Sequence, residues 1–203
     1  MIDRLLKQLK AAQDFERCSA ATELGSYYCD SRIVKPLIKA LDDPEARVRA
    51  AAAHSLGRTG RVPDVAAVAR EALNKLSILL EDNKEEEVVA SVIYAIGELG
   101  DYSMGSRLLP FLNYPNLRHV KTRNITIAAL AALRYKPALP HFYRLLDDSD
   151  PSVRHDTMFV LVELRKHFEI DAEEILGRLL KDPNPLIRNN AKDMLEIVRD
   201  EQT

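Results

Sequence analysis

The sequence has no tryptophan, and aromatic residues make up only 6% of its 203 residues. With seven glycines and ten prolines, it has too few turn-forming residues for a loop-rich all-β protein or a low-complexity linker. It also lacks an excess of either charge, since 29 Lys and Arg residues face 31 Asp and Glu residues and leave a net charge of −2. No overall positive charge therefore draws the chain to nucleic acid or to an anionic membrane.

Cysteines and long apolar segments are scarce as well. Cys18 and Cys29 are outside any C-x-x-C spacing, which favours reduced thiols over a disulfide framework. The first residues alternate charged and apolar side chains, unlike a signal peptide. The longest uncharged stretch in the alanine-rich centre, residues 124–133, is too short to cross a bilayer. These shortages predict a cytoplasmic protein without a membrane partner.

The sequence does contain an internal repeat. The pattern around Leu41-Asp42-Asp43 and Val48-Arg49 returns in residues 146–154 and 180–188, with weaker copies elsewhere. The position of Arg49 is filled in turn by Arg17, Arg49, Val89, Arg123, Arg154 and Arg188. The repeats span approximately residues 1–28, 31–60, 63–100, 104–134, 137–167 and 171–199. Regular recurrence at this period is the signature of a solenoid within a single domain.

Each repeat reads as a helix, a short acidic turn and a second helix. Apolar residues of the second helix recur as a stripe, as in Val48, Ala52 and Leu56, and the turn supplies Asp, Asn and Pro as helix caps. The motifs Gly57-x-x-Gly60 and Gly97-x-x-Gly100 are expected to end two second helices. The predicted starts of the second helices are near Glu45, Glu85, Arg118, Ser152 and Pro185.

One repeat is longer than the others, because residues 61–70 are inserted in it. This segment is rich in apolar residues and contains Pro63, a residue favoured in the first turn of a helix. It predicts a helix that starts at Pro63 and runs on through Leu73 and Leu80. The predicted fold class is all-α, a right-handed α-solenoid (superhelix) of about six helix pairs.

The strings Asp43-Pro44-x-x-x-Val48-Arg49 and Asp150-Pro151-x-Val153-Arg154 resemble HEAT repeats, in particular the HEAT-like repeats of the phycobilisome-lyase family. The resemblance covers nearly the whole chain. It implies a ladder in which a turn aspartate and a second-helix arginine join successive repeats. This role falls on Asp43, Asp148 and Asp182 and on Arg49, Arg154 and Arg188, and Val89 interrupts it.

Two enzyme families with HEAT-like repeats are alternatives to a non-enzymatic function. The deoxyhypusine hydroxylases bind di-iron through repeated His-Glu pairs, whereas this chain offers only His155-Asp156, so we expect no metal and no cofactor. HEAT-like DNA glycosylases use tryptophans and a basic concave face. This chain has no Trp, and its basic run, Arg118, His119, Lys121 and Arg123, occupies one helix start, so we expect no nucleic-acid partner.

The residues that the apolar stripe leaves facing outward are candidates for binding. They follow the Arg49 position by one, five and nine residues, and they form a ridge on each second helix. Tyr94 and Phe159 are the aromatic candidates for anchors of an interface in the concave groove. The other candidates in the groove are His54, Arg58, Glu98, Asn124, His155 and Glu163, and the small residues Ala50 and Ala90 are on the same ridge.

The sequence predicts a non-enzymatic HEAT-like scaffold or adaptor that binds another protein through its concave face, with no catalytic residues. The resemblance leaves open a subunit of a heterodimeric phycobilin lyase, which attaches a bilin to a phycobiliprotein cysteine. Its partners are then a phycobiliprotein or a second lyase subunit. A DNA glycosylase or a metal-dependent hydroxylase is the second alternative.

Overall fold

The computed structural model describes residues 1–27, 30–59, 66–82, 85–113 and 120–201, with side chains from residue 69 onward in the third range. Cys29, Gly60, Pro63 and the basic pair 118–119 are outside these ranges. The regular structure of the described residues is helical throughout, without a strand. The predicted all-α fold class is confirmed, and it is that of the α-solenoids built from HEAT-like helix pairs.

The described helices fall into consecutive pairs, in which the odd-numbered helix is the first and the even-numbered helix the second. They are α1 Ile2–Gln8, α2 Asp14–Leu24, α3 Val34–Ala40, α4 Ala46–Thr59, α5 Ala66–Asp82, α6 Glu86–Leu99, α7 Gly105–Leu108, α8 Val120–Ala132, α9 Leu139–Leu145, α10 Pro151–Leu164, α11 Ala172–Leu179 and α12 Pro185–Asp200. Short 3-10 turns precede α3, α7 and α9, and another follows α7 at Leu109–Asn113.

The second helices begin where the turn chemistry predicts. α4, α6, α10 and α12 start within one residue of the predicted positions, while the predicted start of α8 at Arg118 is outside the described residues. Asp150 accepts a hydrogen bond from the Ser152 N–H and Asn184 accepts one from the Leu186 N–H, so both act as N-caps. A proline follows each of them in the first helical position, where its missing N–H removes no hydrogen bond.

The inserted segment continues into the first helix of its pair. α5 is described from Ala66 and runs through Leu73 and Leu80 to Asp82, as predicted. The predicted start at Pro63 is outside the described residues. Leu73 and Leu80 are both buried, so this helix contributes apolar side chains to the core.

The chain divides into two compact units, an N-terminal unit of Met1–Leu108 and a C-terminal unit of Leu109–Thr203. In the N-terminal unit, α4 packs between α2 and α6, and the predicted stripe of Val48, Ala52 and Leu56 is fully buried. In the C-terminal unit, α10 packs against α8 and α12, with Met158 and Leu161 buried. The second helices therefore supply the centre of each core.

One sequence prediction about the second helices is wrong. Ala50 and Ala90, expected on the outward ridge, are 3% and 2% exposed, because the second turn of each helix packs against neighbouring helices. The prediction about the glycine motifs agrees with the described helices, since α4 ends at Thr59 within Gly57-x-x-Gly60; Gly57 itself lies inside the helix, and Gly60 is outside the described residues. Gly100, by contrast, follows α6 with φ 77°, the left-handed conformation that a helix-ending glycine adopts.

Candidate protein-binding face

The repeats are joined by buried arginines, which fix where the second helices lie. In the C-terminal unit, Arg154 donates from Nε and Nη2 to the two carboxylate oxygens of Asp182, both at 2.8 Å. Its Nη1 donates to the carbonyl oxygens of Asp148 and Ser149 at 2.8 and 3.3 Å. One guanidinium thus ties the turn of its own repeat to the turn of the next. We call this contact the inner ladder.

Arginines at the same repeat position make similar contacts elsewhere. Arg17 donates to Asp43 at 2.7 and 2.9 Å, and Arg123 donates to Asp148 at 2.8 Å. Arg49 and Arg188 donate to the carbonyl oxygens of their own turns, Asp43 and Pro44 for the first and Asp182 and Pro183 for the second. Sequence reasoning gave Arg17 and Arg123 no ladder role, although their register with Arg49 already pointed to it.

A second series of ion pairs runs along the exposed side of the turns. It joins an acidic residue one position before a ladder aspartate, or its equivalent, to a cation on the first helix of the next repeat. The pairs are Asp42 with Lys75, Glu81 with Arg107, and Asp147 with Arg178. In Asp42-Asp43 and Asp147-Asp148, the second carboxylate binds a largely buried arginine and the first binds an exposed cation. Because both outer partners are exposed, this outer ladder contributes little stability per pair.

The inner ladder shifts the titration of its carboxylates. The hydrogen bonds from Arg154 hold the pKa of Asp182 below its ordinary value, and those from Arg17 do the same for the pKa of Asp43. Each aspartate also accepts a backbone N–H two residues ahead, from Asn184 and Glu45. These bonds favour the ionised form further.

Acid is therefore expected to destabilise the protein through these carboxylates. The unfolded chain binds protons near the ordinary Asp pKa of about 3.9, whereas the folded chain still holds Asp182 and Asp43 ionised. Their stabilisation is complete above that ordinary pKa and is lost as the pH falls through the lower folded values. Urea denaturation between pH 7 and pH 3 measures the effect. The slope of unfolding free energy against pH should be shallower in Asp182→Asn, and equal slopes would contradict this origin.

The predicted binding residues of the N-terminal unit form one cluster. The rings of His54 on α4 and Tyr94 on α6 stack with centroids 4.6 Å apart and planes 18° apart. His54 and Arg58 are exposed, and Tyr94 and Glu98 are half-buried. A glycine makes the stack possible, because a Cβ on Gly57 would lie 3.0 Å from Cε1 of Tyr94. The sequence pattern placed these residues on a common ridge and missed the role of Gly57.

In the C-terminal unit, the predicted residues form a second cluster. The His155 ring lies between two polar partners, with Nδ1 3.1 Å from Oδ1 of Asp156 and Nε2 2.9 Å from Nδ2 of Asn190. The ring of Phe159 lies beside it, with centroids 4.8 Å apart. Asn124 is held in a similar way, since its Nδ2 donates to Oγ of Ser152 at 3.2 Å. Asn124 and His155 thus connect neighbouring second helices.

Phe159 remains 41% exposed and lines a pocket of about 280 Å³ between α10 and α12. Val162, Met194 and Val198 supply apolar surface, and Ile197 at the mouth is 56% exposed. Glu163, another predicted binding residue, forms part of the same wall. We call this site the Phe159 pocket. The structure therefore places Tyr94 and Phe159 in separate clusters, one in each unit.

The described residues hold neither a metal-binding cluster nor a membrane-spanning helix. Within those ranges, no three His, Cys, Asp or Glu side chains come together in an arrangement able to hold a metal ion. None of the helices in the same ranges is both long and apolar enough to cross a membrane. The acidic pairs of the turns act as ladder partners and caps.

The paired helices and the two ladders are features of the class of all-helical repeat proteins. Residues 2–77 match the family model of HEAT repeats, and residues 121–203 match that of non-SMC mitotic condensation complex subunit 1. Residues 2–77 thus match HEAT repeats, and the predicted HEAT-like resemblance is confirmed. No curated protein matches the chain.

Solved structures share the fold at low sequence identity. The complex of CpcE and CpcF of phycocyanin lyase from Nostoc sp. PCC7120 aligns with a TM-score of 0.72 and 21% identity over 94% of this chain and 74% of that one. An archaeal HEAT-like repeats protein from Thermococcus onnurineus NA1 aligns at 0.60 and 16%, over 98% and 87%. An engineered protein aligns at 0.65 and 18%, over 96% and 97%. At these identities the likeness shows the fold alone.

Proposed function

We propose that this chain is a non-enzymatic scaffold or adaptor that binds another protein through the exposed faces of its second helices, the faces that line the concave side in HEAT solenoids. The Phe159 pocket is the observation that carries the proposal. A large aromatic side chain left 41% exposed beside a 56% exposed isoleucine is typical of a protein interface. The charges of Glu163, Arg165 and Lys166 line the same pocket, as in the polar rim of such interfaces.

The ladders support this proposal by making the surface rigid before a partner arrives. Arg154 holds the turns on both sides of α10, and Asn190 holds the His155 ring next to Phe159. Side chains already fixed in place lose little conformational freedom on binding.

Truncating the aromatic residues is expected to weaken binding. Phe159→Ala and Tyr94→Ala should each lower the affinity for the partner by ~2 kcal/mol, about 30-fold, because buried interface aromatics dominate binding energy. The partner is captured from the source organism on the immobilised full chain, purified, and titrated by calorimetry against each variant. Leu56→Ala serves as control. It removes a fully buried core side chain and should lower stability by about 2–5 kcal/mol without changing the affinity of the folded protein.

Two results would contradict this assignment of the interface. In the first, both aromatic variants bind as the wild type does. In the second, both lose mainly thermal stability, as Leu56→Ala does. In either case the opposite face of the helices or the basic run of residues 118–123 becomes the candidate interface.

The likeness to the phycocyanin lyase complex favours a second candidate, a subunit of a heterodimeric lyase that attaches a bilin to a phycobiliprotein cysteine. Its partners are then a phycobiliprotein and a second lyase subunit. The test mixes the chain with apo-phycocyanin, a bilin and the second subunit, and follows covalent bilin by its fluorescence on a denaturing gel. Covalent product that requires this chain would favour the lyase over the scaffold.

A further inference from the structure

The end of α8 has a backbone conformation that arginine rarely adopts. Arg134 has φ 49°, in the left-handed region, and it is the one non-glycine residue with positive φ among those the structure describes. The Tyr135 N–H donates to the carbonyl of Leu130, and the Arg134 N–H to that of Ala131. This is a Schellman turn, in which glycine is the usual residue. After α6, Gly100 has the left-handed conformation.

The guanidinium of Arg134 is also exceptional in its lack of partners. Among the described arginines of the C-terminal unit, Arg134 alone makes no side-chain hydrogen bond or ion pair with another described residue. Arg165, Arg178 and Arg199 are each paired with a carboxylate, although the carboxylate and most of these guanidinium groups are well exposed. A strained position thus holds a guanidinium that forms no hydrogen bond or ion pair with a described residue.

This cation lines a pocket of about 280 Å³ between the last turns of α8 and α10. Its apolar lining includes Ala128 and Ala132 of α8 and Val160 and Leu164 of α10. Arg134 and His167 supply polar groups. We call this site the Arg134 pocket. The small alanines leave room for an incoming apolar side chain, and the guanidinium offers a planar pair of donors that suits a carboxylate.

Glu163 limits the charge that the Arg134 pocket accepts. This side chain forms part of both the Arg134 pocket and the Phe159 pocket. Its carboxylate repels a second negative charge on a ligand bound there. A monoanionic carboxylate close to the guanidinium is therefore favoured over a dianionic phosphate. A basic segment is disfavoured next to Arg134.

We propose that the Arg134 pocket binds a segment of a partner protein in which an acidic side chain is next to an aliphatic one. The carboxylate pairs with Arg134, and the aliphatic side chain packs on Ala128 and Ala132. The proposal rests on the proposed function as a protein-binding scaffold. It adds the chemistry of the bound segment.

The test uses two matched peptides and the full chain with labelled alanine methyl groups. Acetyl-Leu-Asp-Leu-amide should shift the methyl signals of Ala128 and Ala132 in a saturable way, with roughly tenfold higher affinity than acetyl-Leu-Asn-Leu-amide. Arg134→Gln should abolish this preference, and Arg134→Lys should keep part of it. Equal shifts from both peptides, or no shift from either, would overturn the proposal.

A second variant separates binding from a structural role. Arg134→Gly relieves the left-handed strain, so it should raise the melting temperature by about 2–4 °C while losing the preference for the acidic peptide. If Arg134→Gly keeps that preference, the guanidinium is not the binding group and the proposal is wrong. A phosphoserine peptide that binds more tightly than the aspartate peptide would overturn the proposal as well.

These results are distinguishable from a failure of the proposed function. The peptide titration needs no natural partner, and it reports on Ala128 and Ala132 rather than on Phe159. Suppose that the captured partner binds Phe159→Ala as tightly as the wild type, while the wild-type chain still binds the aspartate peptide more tightly than the asparagine peptide. Then only the interface proposed around Phe159 is wrong. If Phe159→Ala lowers the affinity for the partner and the two peptides bind equally well, only the proposed acidic segment is wrong.

Discussion

Arg154→Met is expected to lower the free energy of unfolding by about 3–5 kcal/mol, the typical loss when one partner of a buried ion pair is removed. Asp182 is only 7% exposed, so its carboxylate would stay desolvated without its cation. The carbonyl oxygens of Asp148 and Ser149 would lose a donor in the same change. Methionine keeps much of the arginine's apolar length, so lost packing adds little.

Urea denaturation at pH 7 measures this effect, and Arg178→Met provides the matched control. Arg178 carries the same guanidinium and pairs with Asp147, but its side chain is 52% exposed and that of Asp147 is 69% exposed. Exposed pairs typically contribute less than about 1 kcal/mol. Losses of similar size in the two variants would show that the inner ladder does not hold the repeats together.

Gly57→Ala should destabilise the protein by about 1–3 kcal/mol, the usual range for overpacking a filled core. A Cβ at this position would lie 2.9 Å from the Cα of Ala95 and 3.0 Å from Cε1 of Tyr94. The nearest atom belongs to the backbone of α6, so relief requires the two helices to separate. The His54–Tyr94 stack would move with them.

Gly177→Ala is the control, and its expected effect has the opposite sign. Gly177 lies inside α11, and a Cβ added there meets nothing within 4 Å. Alanine should therefore stabilise the helix by up to about 1 kcal/mol through its better helix propensity. Thermal melts of the two variants measure the contrast. If both substitutions stabilise the protein, the close approach of α4 and α6 is not a constraint.

Much of the fold could be predicted from the sequence because the repeat imposes one register on every second helix. The buried stripe of Val48, Ala52 and Leu56 follows from helical periodicity, and the caps Asp150 and Asn184 follow from turn chemistry. The same register that identified Arg154 as a ladder residue also marks Arg17 and Arg123. The buried stripe, the helix caps and the ladder arginines could thus be predicted, because they depend on local chemistry or on the repeat period.

The parts that the sequence could not predict depend on neighbouring helices. Whether Ala50 faces solvent or core depends on how closely the adjacent repeat packs over the second turn of α4. The stack of His54 on Tyr94 joins residues 40 positions apart and needs the missing side chain of Gly57. The left-handed conformation of Arg134 could not be predicted from the sequence, since a left-handed residue after a helix is expected to be glycine.

The inner ladder has a consequence for how such a chain can change during evolution. Arg17, Arg123 and Arg154 each reach forward to the aspartate of the next repeat, so the contact joins equivalent positions and depends on no particular pair of repeats. Loss of residues 137–167 as a block would place Asp182 28 residues after Arg123, the same separation that Arg154 and Asp182 have now. Whole repeats can therefore be duplicated or lost by recombination with the connection intact. Insertions within a turn break it, so changes in length are expected to accumulate elsewhere, as in residues 61–70.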